Sequence, residues 1–113
     1  MNLNDRVEEA VVDSDAWFPN LSGDIPHYLI ALAGETGELC NAYKKWDRAA
    51  LEYRLVEQNW EDTRVEMTKE LVDVLVYLFC LAGELNIDLE AEYDCKRAFN
   101  ESWFGQPVSV EAG

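Results

Sequence analysis

The chain has little positive charge and no long apolar run. Its 113 residues include nine lysines and arginines against 23 aspartates and glutamates, a formal net charge of −14. So acidic a surface repels nucleic-acid backbones and anionic membranes, and we expect neither as a partner. The longest apolar run, Val74 to Ala82, is far shorter than the roughly 20 residues that span a bilayer.

Cysteine and histidine are also scarce, which argues against a disulfide framework and against a metal site built on histidine. The cysteines Cys40, Cys80 and Cys95 are odd in number and form no Cys-x-x-Cys pair, which predicts free intracellular thiols. The single histidine, His27, cannot supply the two Glu-x-x-His pairs of a di-iron bundle. The residues after Met1 are polar and acidic, unlike a signal peptide, so we expect a cytoplasmic protein.

Apolar residues recur with helical spacing, and no segment has a convincing strand pattern. Spacing and capping residues predict helices at about 3–16, 25–47, 63–85 and 89–103. Residues 48–62 are ambiguous: 49–56 fits a short helix, and 58–62 has the composition of a linker. We therefore predict an all-α bundle of four to five helices in a single domain, 1–105, with a tail over 106–113.

The middle of the third predicted helix, VLVYLFCLA, is apolar on every side. A helix without a polar face is surrounded by protein. In a domain this small, such a helix lies centrally in the bundle, at a subunit interface, or both. We expect a homodimer, or a homotetramer built as a dimer of dimers.

Two acidic pairs share one spacing. Glu35 and Glu38 lie on the second predicted helix and Glu70 and Asp73 on the third, each pair on one helix face. Four carboxylates that converge between two helices repel each other unless a cation lies among them. The alternative is that both pairs lie on solvated faces. Glu70 and Asp73 directly precede the apolar stretch, where unpaired charge is costly, so that a metal site is as good an interpretation as solvated faces.

Other polar side chains share the faces of the two acidic pairs. Glu66 and Tyr77 fall on the face of the second pair, and Lys45, with Asn41 at the edge, on the face of the first. An all-carboxylate ligand set suits Mg²⁺ or Mn²⁺ rather than zinc. Such an ion usually binds substrate phosphates in its open positions, so we expect a phosphorylated small molecule as the ligand.

The fourth predicted helix carries a second set of candidates on one face: Lys96, Phe99, Asn100 and Trp103. The two aromatic residues fit a core. Lys96 could neutralise a phosphate or pair with Glu92, and Asn100 could hydrogen-bond a phosphate or a ribose hydroxyl. Near the end of the first helix, Trp17 and Phe18 could stack on a base or belong to the core.

Two segments, LAGETGELCNAYKK and KELVDVLVYLFCLAGELNIDLEAEYDCKRAFN, resemble the MazG-like all-α nucleoside triphosphate pyrophosphohydrolases, relatives of the dimeric dUTPases and dCTP pyrophosphatases. The resemblance covers about residues 17–105. It implies metal ligands at Glu35, Glu38, Glu70 and Asp73, and pocket residues beside them at Asn41, Lys45 and Tyr77. It further implies phosphate and sugar contacts at Lys96 and Asn100, and base contacts at Trp17 and Phe18.

The resemblance implies hydrolysis of a nucleoside triphosphate to a monophosphate and pyrophosphate, with Mg²⁺ as the cofactor and a glutamate as general base. The chain departs from the family pattern in three places. The 31 residues between Glu38 and Glu70 are on the long side for the family, which implies an inserted helix or loop over 48–62. Gly34 stands where some members have glutamate. Trp103 stands where relatives often have an arginine, which moves one phosphate contact to Arg97 or Lys45.

Two alternatives to a triphosphate hydrolase stay open. One is hydrolysis of a guanosine tetraphosphate-type signal nucleotide. The other is a non-catalytic acidic helical protein, a DNA mimic or an adaptor, which the net charge of −14 favours. A mimic spreads its acids over an outer surface, whereas an enzyme concentrates four of them beside an apolar core.

Overall fold

A computed structural model describes residues 1–51 and 59–105, with the backbone alone at 48–51. These ranges contain four α-helices and no strand: α1 (Leu3–Trp17), α2 (Ile25–Leu51), α3 (Trp60–Glu84) and α4 (Leu89–Phe104), with a short 3₁₀ turn after α1 (Pro19–Leu21). The predicted all-α fold is confirmed. The short helix predicted over 49–56 falls mostly outside the described residues, as does the tail over 106–113. No described helix has the length and apolar character needed to cross a membrane.

Local capping chemistry sets several helix ends where the sequence predicts them. The Asp24 carboxylate accepts from the His27 N–H at 3.0 Å, at the start of α2. The Asp88 carboxylate caps α4, accepting from the Ala91 N–H at 3.1 Å. Beyond α3, Asn86 takes a left-handed conformation with φ of 54°, which ends the helix.

The predicted linker over 58–62 is wrong at its end, because α3 already begins at Trp60. The Asn59 side chain caps this helix, accepting from the Asp62 N–H at 2.9 Å. Glu61 and Asp62, in the first turn, add negative charge next to the positive end of the helix dipole, which stabilises the helix. An asparagine followed by acids is a helix start that the polar composition of the segment conceals.

Helices α2 and α3 pack antiparallel. Trp46 of α2 lies near Trp60 of α3, with ring centroids 4.9 Å apart, whereas Tyr28 near the start of α2 packs with Cys80 and Leu81 near the end of α3. Helix α1 packs on the same end of α3 through a second core cluster of Val7, Phe79 and Ala82. The two clusters bury residues 79–82 near the C-terminal end of α3, which fixes the orientation of this helix against α2.

The contact between α1 and α3 depends on Gly83, because a Cβ there would overlap the side chain of Val11. We therefore expect Gly83→Ala to lower the free energy of unfolding by about 1–3 kcal/mol through overpacking. The matched control is Gly34→Ala, also inside a helix, where a Cβ meets nothing within 4 Å. That change should stabilise by about 0.5–1 kcal/mol. Urea unfolding measures both, and equal effects would contradict the close approach.

A single chain covers only one side of α3. Phe79 to Ala82 are buried, but five apolar residues within 71–78 stay 43–58% exposed: Leu71, Val72, Leu75, Val76 and Leu78. We call these five the α3 stripe. The sequence predicts a helix surrounded by protein, but the described residues of one chain leave this side of α3 uncovered. Exposed apolar stripes of this kind mark protein interfaces.

Helix α4 is fastened to α1 at its N-terminal end. The Asn4 amide oxygen accepts from the N–H groups of Leu89 and Glu90 at 3.0 and 3.3 Å, and the Asn4 amide nitrogen donates to Asp88 at 2.8 Å. In return the Glu90 carboxylate accepts from the Leu3 N–H at 2.8 Å. Beyond this junction, residues 91–100 are all exposed. Because these residues have no covering contacts among the described residues, α4 projects from the other helices. The radius of gyration is 18.1 Å, against roughly 13 Å for a compact domain of this length.

Candidate metal centre and adjoining cavity

Three of the four predicted metal ligands converge. Glu35 and Glu38 on α2 and Glu70 on α3 each place one carboxylate oxygen within 4.8 Å of the others. The i, i+3 spacing puts the first two on one face of α2, and the antiparallel packing of α3 brings Glu70 against that face. Asp73, one turn further along α3, lies outside this group but lines an adjoining cavity together with Glu35.

Two oxygens of this carboxylate group are buried without a partner. Oε2 of Glu35 and Oε2 of Glu70 have no contact with solvent and accept no hydrogen bond, whereas the Glu38 side chain is exposed. A buried carboxylate oxygen without a donor is costly. A hard divalent cation would remove that cost, because carboxylate oxygens are the ligands that Mg²⁺ and Mn²⁺ prefer. The residues present therefore fit a divalent ion.

The neighbouring acids on α2 perturb the pKa of Glu70 on α3. The pKa of Glu70 is raised to about 7, first by the neighbouring Glu35, to which a proton on Glu70 can bridge, then by burial and by Glu38. Below about pH 7 Glu70 therefore holds a proton in the metal-free protein. Burial, followed by the charges of Glu35 and Asp73, also raises the pKa of the Tyr77 hydroxyl, which keeps it a hydrogen-bond donor.

A cavity of about 760 Å³ opens beside the carboxylate group, between α1, the start of α2 and the apolar part of α3. Besides Glu35 and Asp73, three predicted site residues line it: Trp17, Phe18 and Tyr77. The exposed fractions of Trp17 and Phe18 are 68% and 57%, so the alternative that they belong to the core does not hold in this chain. Cavities of this size, largely apolar with a few polar groups, are typical of small-molecule sites.

The remaining predicted residues lie away from this cavity. Asn41 and Lys45 are exposed on α2, and Lys96 and Asn100 are exposed on α4, and none of the four lines the cavity. Lys96 Nζ lies 4.8 Å from the centroid of the Phe99 ring, and no ion pair joins it to Glu92 within residues 59–105. The aromatic residues of this face of α4 are exposed rather than core, Phe99 at 52% and Trp103 at 71%.

Apart from Trp17, the contribution of α1 to the cavity wall is absent from the sequence-based prediction. Arg6, Glu9, Asp13 and Ser14 all line the cavity. Arg6 pairs with Glu9 at 3.0 Å, and the Ser14 hydroxyl lies 2.7 Å from the Tyr28 hydroxyl. Their spacing of three, four and one residues places them along one side of the helix. This shared side of α1 is the sequence feature from which the wall could have been predicted.

Fold and site together define an all-α protein with a carboxylate cluster, suited to a divalent cation, at the edge of a ligand-sized cavity. The family model described as the MazG nucleotide pyrophosphohydrolase domain matches residues 25–102, more than half of the chain. The chain belongs to this family. The match contains all four acids of the two pairs as well as Lys96 and Asn100, while Trp17 and Phe18 precede it. No curated protein and no solved structure matches the chain significantly.

Proposed function

We propose that the chain is a Mg²⁺-dependent nucleoside triphosphate pyrophosphohydrolase, which converts a (d)NTP and water to a (d)NMP and pyrophosphate. The observation that carries this proposal is the convergence of the carboxylates of Glu35, Glu38 and Glu70 beside a cavity large enough for a nucleoside. Two of their oxygens, one on Glu35 and one on Glu70, are buried without a hydrogen-bond partner. Membership of a family of nucleotide pyrophosphohydrolases supports it. The same convergence argues against a DNA mimic, whose acids would spread over an outer surface.

We propose Glu35, Glu38 and Glu70 as metal ligands, with Asp73 as the fourth acid at the cavity edge. When bound, Mg²⁺, or Mn²⁺ in its place, neutralises phosphate charge and lowers the pKa of a water molecule. A carboxylate of this group takes the proton from the attacking water as general base. The water oxygen forms a bond to the α-phosphorus, the bond from that phosphorus to the bridging oxygen breaks, and pyrophosphate leaves.

The cavity residues position the nucleotide. Trp17 and Phe18, which line the cavity with rings half or more exposed, would stack on the base. The protonated Tyr77 hydroxyl would donate to a phosphate oxygen near Glu35. Asn41 and Lys45 are proposed as polar residues beside the acids on α2. Lys96 and Asn100 are proposed as the phosphate and sugar contacts from α4.

We further propose that the protein acts as a homodimer or a dimer of dimers in the cytoplasm, with residues 1–105 as one domain. The α3 stripe supports the assembly, since five apolar side chains of one helix are 43–58% exposed in the single chain. Packing against a second copy would bury these side chains, as expected for a helix that is apolar on every side.

The test is pyrophosphate release from a panel of the eight common NTPs and dNTPs, with and without Mg²⁺. We expect release from at least one member with Mg²⁺ and none in excess EDTA. Guanosine tetraphosphate is included because release from it alone would favour hydrolysis of a signal nucleotide. A purified, folded protein that releases pyrophosphate from no member of the panel would overturn the proposed function.

A further inference from the structure

Two carboxylates on α1 line the cavity, and they differ in their partners. Glu9 forms an ion pair with Arg6 at 3.0 Å. Asp13 lies one turn further along the same face, and among residues 1–51 and 59–105 it forms no ion pair and accepts no hydrogen bond. Its carboxylate is therefore free to bind a ligand. An ionised carboxylate only accepts hydrogen bonds, so the ligand group that meets it must be a donor.

Asp13 lies beside the proposed base-stacking residues. Asp13 and Trp17 are four residues apart in α1, which places them on one face of the helix, about 6 Å apart along its axis. Trp17 and Phe18 line the cavity with exposed rings. The hydroxyl of the adjacent Ser14 lies 2.7 Å from that of the buried Tyr28, a hydrogen bond that holds this turn of α1 against α2. A base stacked on the two rings would therefore turn one edge towards a carboxylate on a fixed helix.

Charge determines which end of a nucleotide this wall accepts. Glu9 and Asp13 place negative charge on the α1 side of the cavity and repel a phosphate. Glu35 and Asp73, on α2 and α3, belong to or adjoin the carboxylate group that fits a divalent cation. The phosphates of a nucleotide therefore belong at that cation, and the uncharged base belongs at the α1 wall.

The common bases differ in what their edges offer a carboxylate. Guanine carries two neighbouring donors, the ring N1–H and the 2-amino group, which match the two oxygens of one carboxylate. Adenine and cytosine place an amino group beside a ring nitrogen that is itself an acceptor. Uracil and thymine place one N–H between two carbonyl oxygens. In all four of these bases an acceptor on the edge would face an acceptor on the protein, which is unfavourable.

We propose that Asp13 selects a guanine nucleotide, its two oxygens accepting from the N1–H and the 2-amino group of a base stacked on Trp17 and Phe18. The aromatic rings hold a base of any kind, because every base has a flat apolar face, whereas the carboxylate chooses among the bases. This inference rests on the proposed function and names its substrate class, guanosine or deoxyguanosine triphosphate.

Inosine nucleotides give the sharpest test, because inosine differs from guanosine only in lacking the 2-amino group. In the wild-type protein we expect kcat/KM for GTP or dGTP to exceed that for the matching inosine triphosphate by about 10- to 100-fold, the effect of losing one hydrogen bond to a charged group. Asp13→Asn leaves a single acceptor oxygen, so it should reduce this ratio to about threefold or less. Steady-state pyrophosphate release at saturating Mg²⁺ measures both ratios.

The matched control is Glu8→Gln, which removes one negative charge from an exposed position of α1 outside the lining of this cavity. It should leave the preference for guanine over inosine unchanged. A wild-type protein that hydrolyses the guanine and inosine nucleotides equally well would overturn the inference while leaving the proposed function intact. So would a preference for guanine that persists in Asp13→Asn.

A second readout does not depend on hydrolysis. GMP and IMP differ by the same amino group, and calorimetric titration in the presence of Mg²⁺ compares their Kd values. We expect GMP to bind about 10- to 100-fold more tightly than IMP, and Asp13→Asn to remove most of this difference. That result in a protein that releases no pyrophosphate would refute the proposed function alone. Equal binding of GMP and IMP, or binding of neither by a protein that also hydrolyses no guanine nucleotide, would overturn the inference.

Discussion

Glu38→Gln is expected to lower kcat for nucleotide hydrolysis by about 100-fold or more, because it removes the negative charge of one of the three carboxylates proposed as metal ligands. Glu38 is the best position for this test because its side chain is exposed, so that its replacement disturbs packing less than a change at the half-buried Glu35 or Glu70. The glutamine keeps the shape and helix propensity of the residue. Steady-state pyrophosphate release at saturating Mg²⁺ and nucleotide measures the effect.

The matched control is Lys44→Ala, an exposed position of α2 outside the proposed site, which should change kcat by less than about twofold. Circular dichroism should show equal helix content in both variants and the wild-type protein. Asp73→Asn belongs in the same series, because Asp73 lies outside the group of three yet lines the cavity. Unchanged hydrolysis by Glu38→Gln would exclude the carboxylate group as the catalytic centre.

Local chemistry explains why much of the fold could be predicted. Asp24 and Asp88 cap helices through side-chain oxygens that reach only three residues along the chain, and Asn86 ends α3 by its own backbone conformation. Such signals need no tertiary information. The pairing of Glu35 with Glu38 is equally local, being one turn of helix. Asn59 gave a signal of the same kind, masked by the polar residues around it.

The parts of the site that could not be predicted depend on how the helices pack against one another. The rotation and register of α3 against α2 put Glu70 within 4.8 Å of the two α2 acids and leave Asp73 outside, although both share one face of α3. The wall formed by α1 results from long-range packing onto α3. Lys96 shows the limit most clearly: its helix face was apparent from spacing, but its distance from the cavity depends on where α4 projects.

The second large effect is a loss of stability with rising pH in the metal-free protein. The pKa of Glu70 is raised from 4.5 to about 7 in the folded chain, mainly by Glu35. Between those two values the folded state binds more protons than the unfolded state, so the free energy of unfolding falls as pH rises. We expect the melting temperature in EDTA to fall between about pH 4.5 and 7 and to level off above it. Glu70→Gln should flatten this slope and melt above the wild-type protein at pH 8.

Mg²⁺ should reverse the trend, because a cation bound only by the folded state replaces the proton that the carboxylate group otherwise holds. At 100 times its Kd, such a ligand stabilises by about 2.7 kcal/mol, a rise on the order of 10 °C for a domain of this size. The rise should be larger at pH 8 than at pH 5, where protons compete for the site. Thermal melts at both pH values, in EDTA and in millimolar Mg²⁺, measure it. Equal Mg²⁺ shifts in the wild-type protein and in Glu70→Gln would show that the ion binds elsewhere.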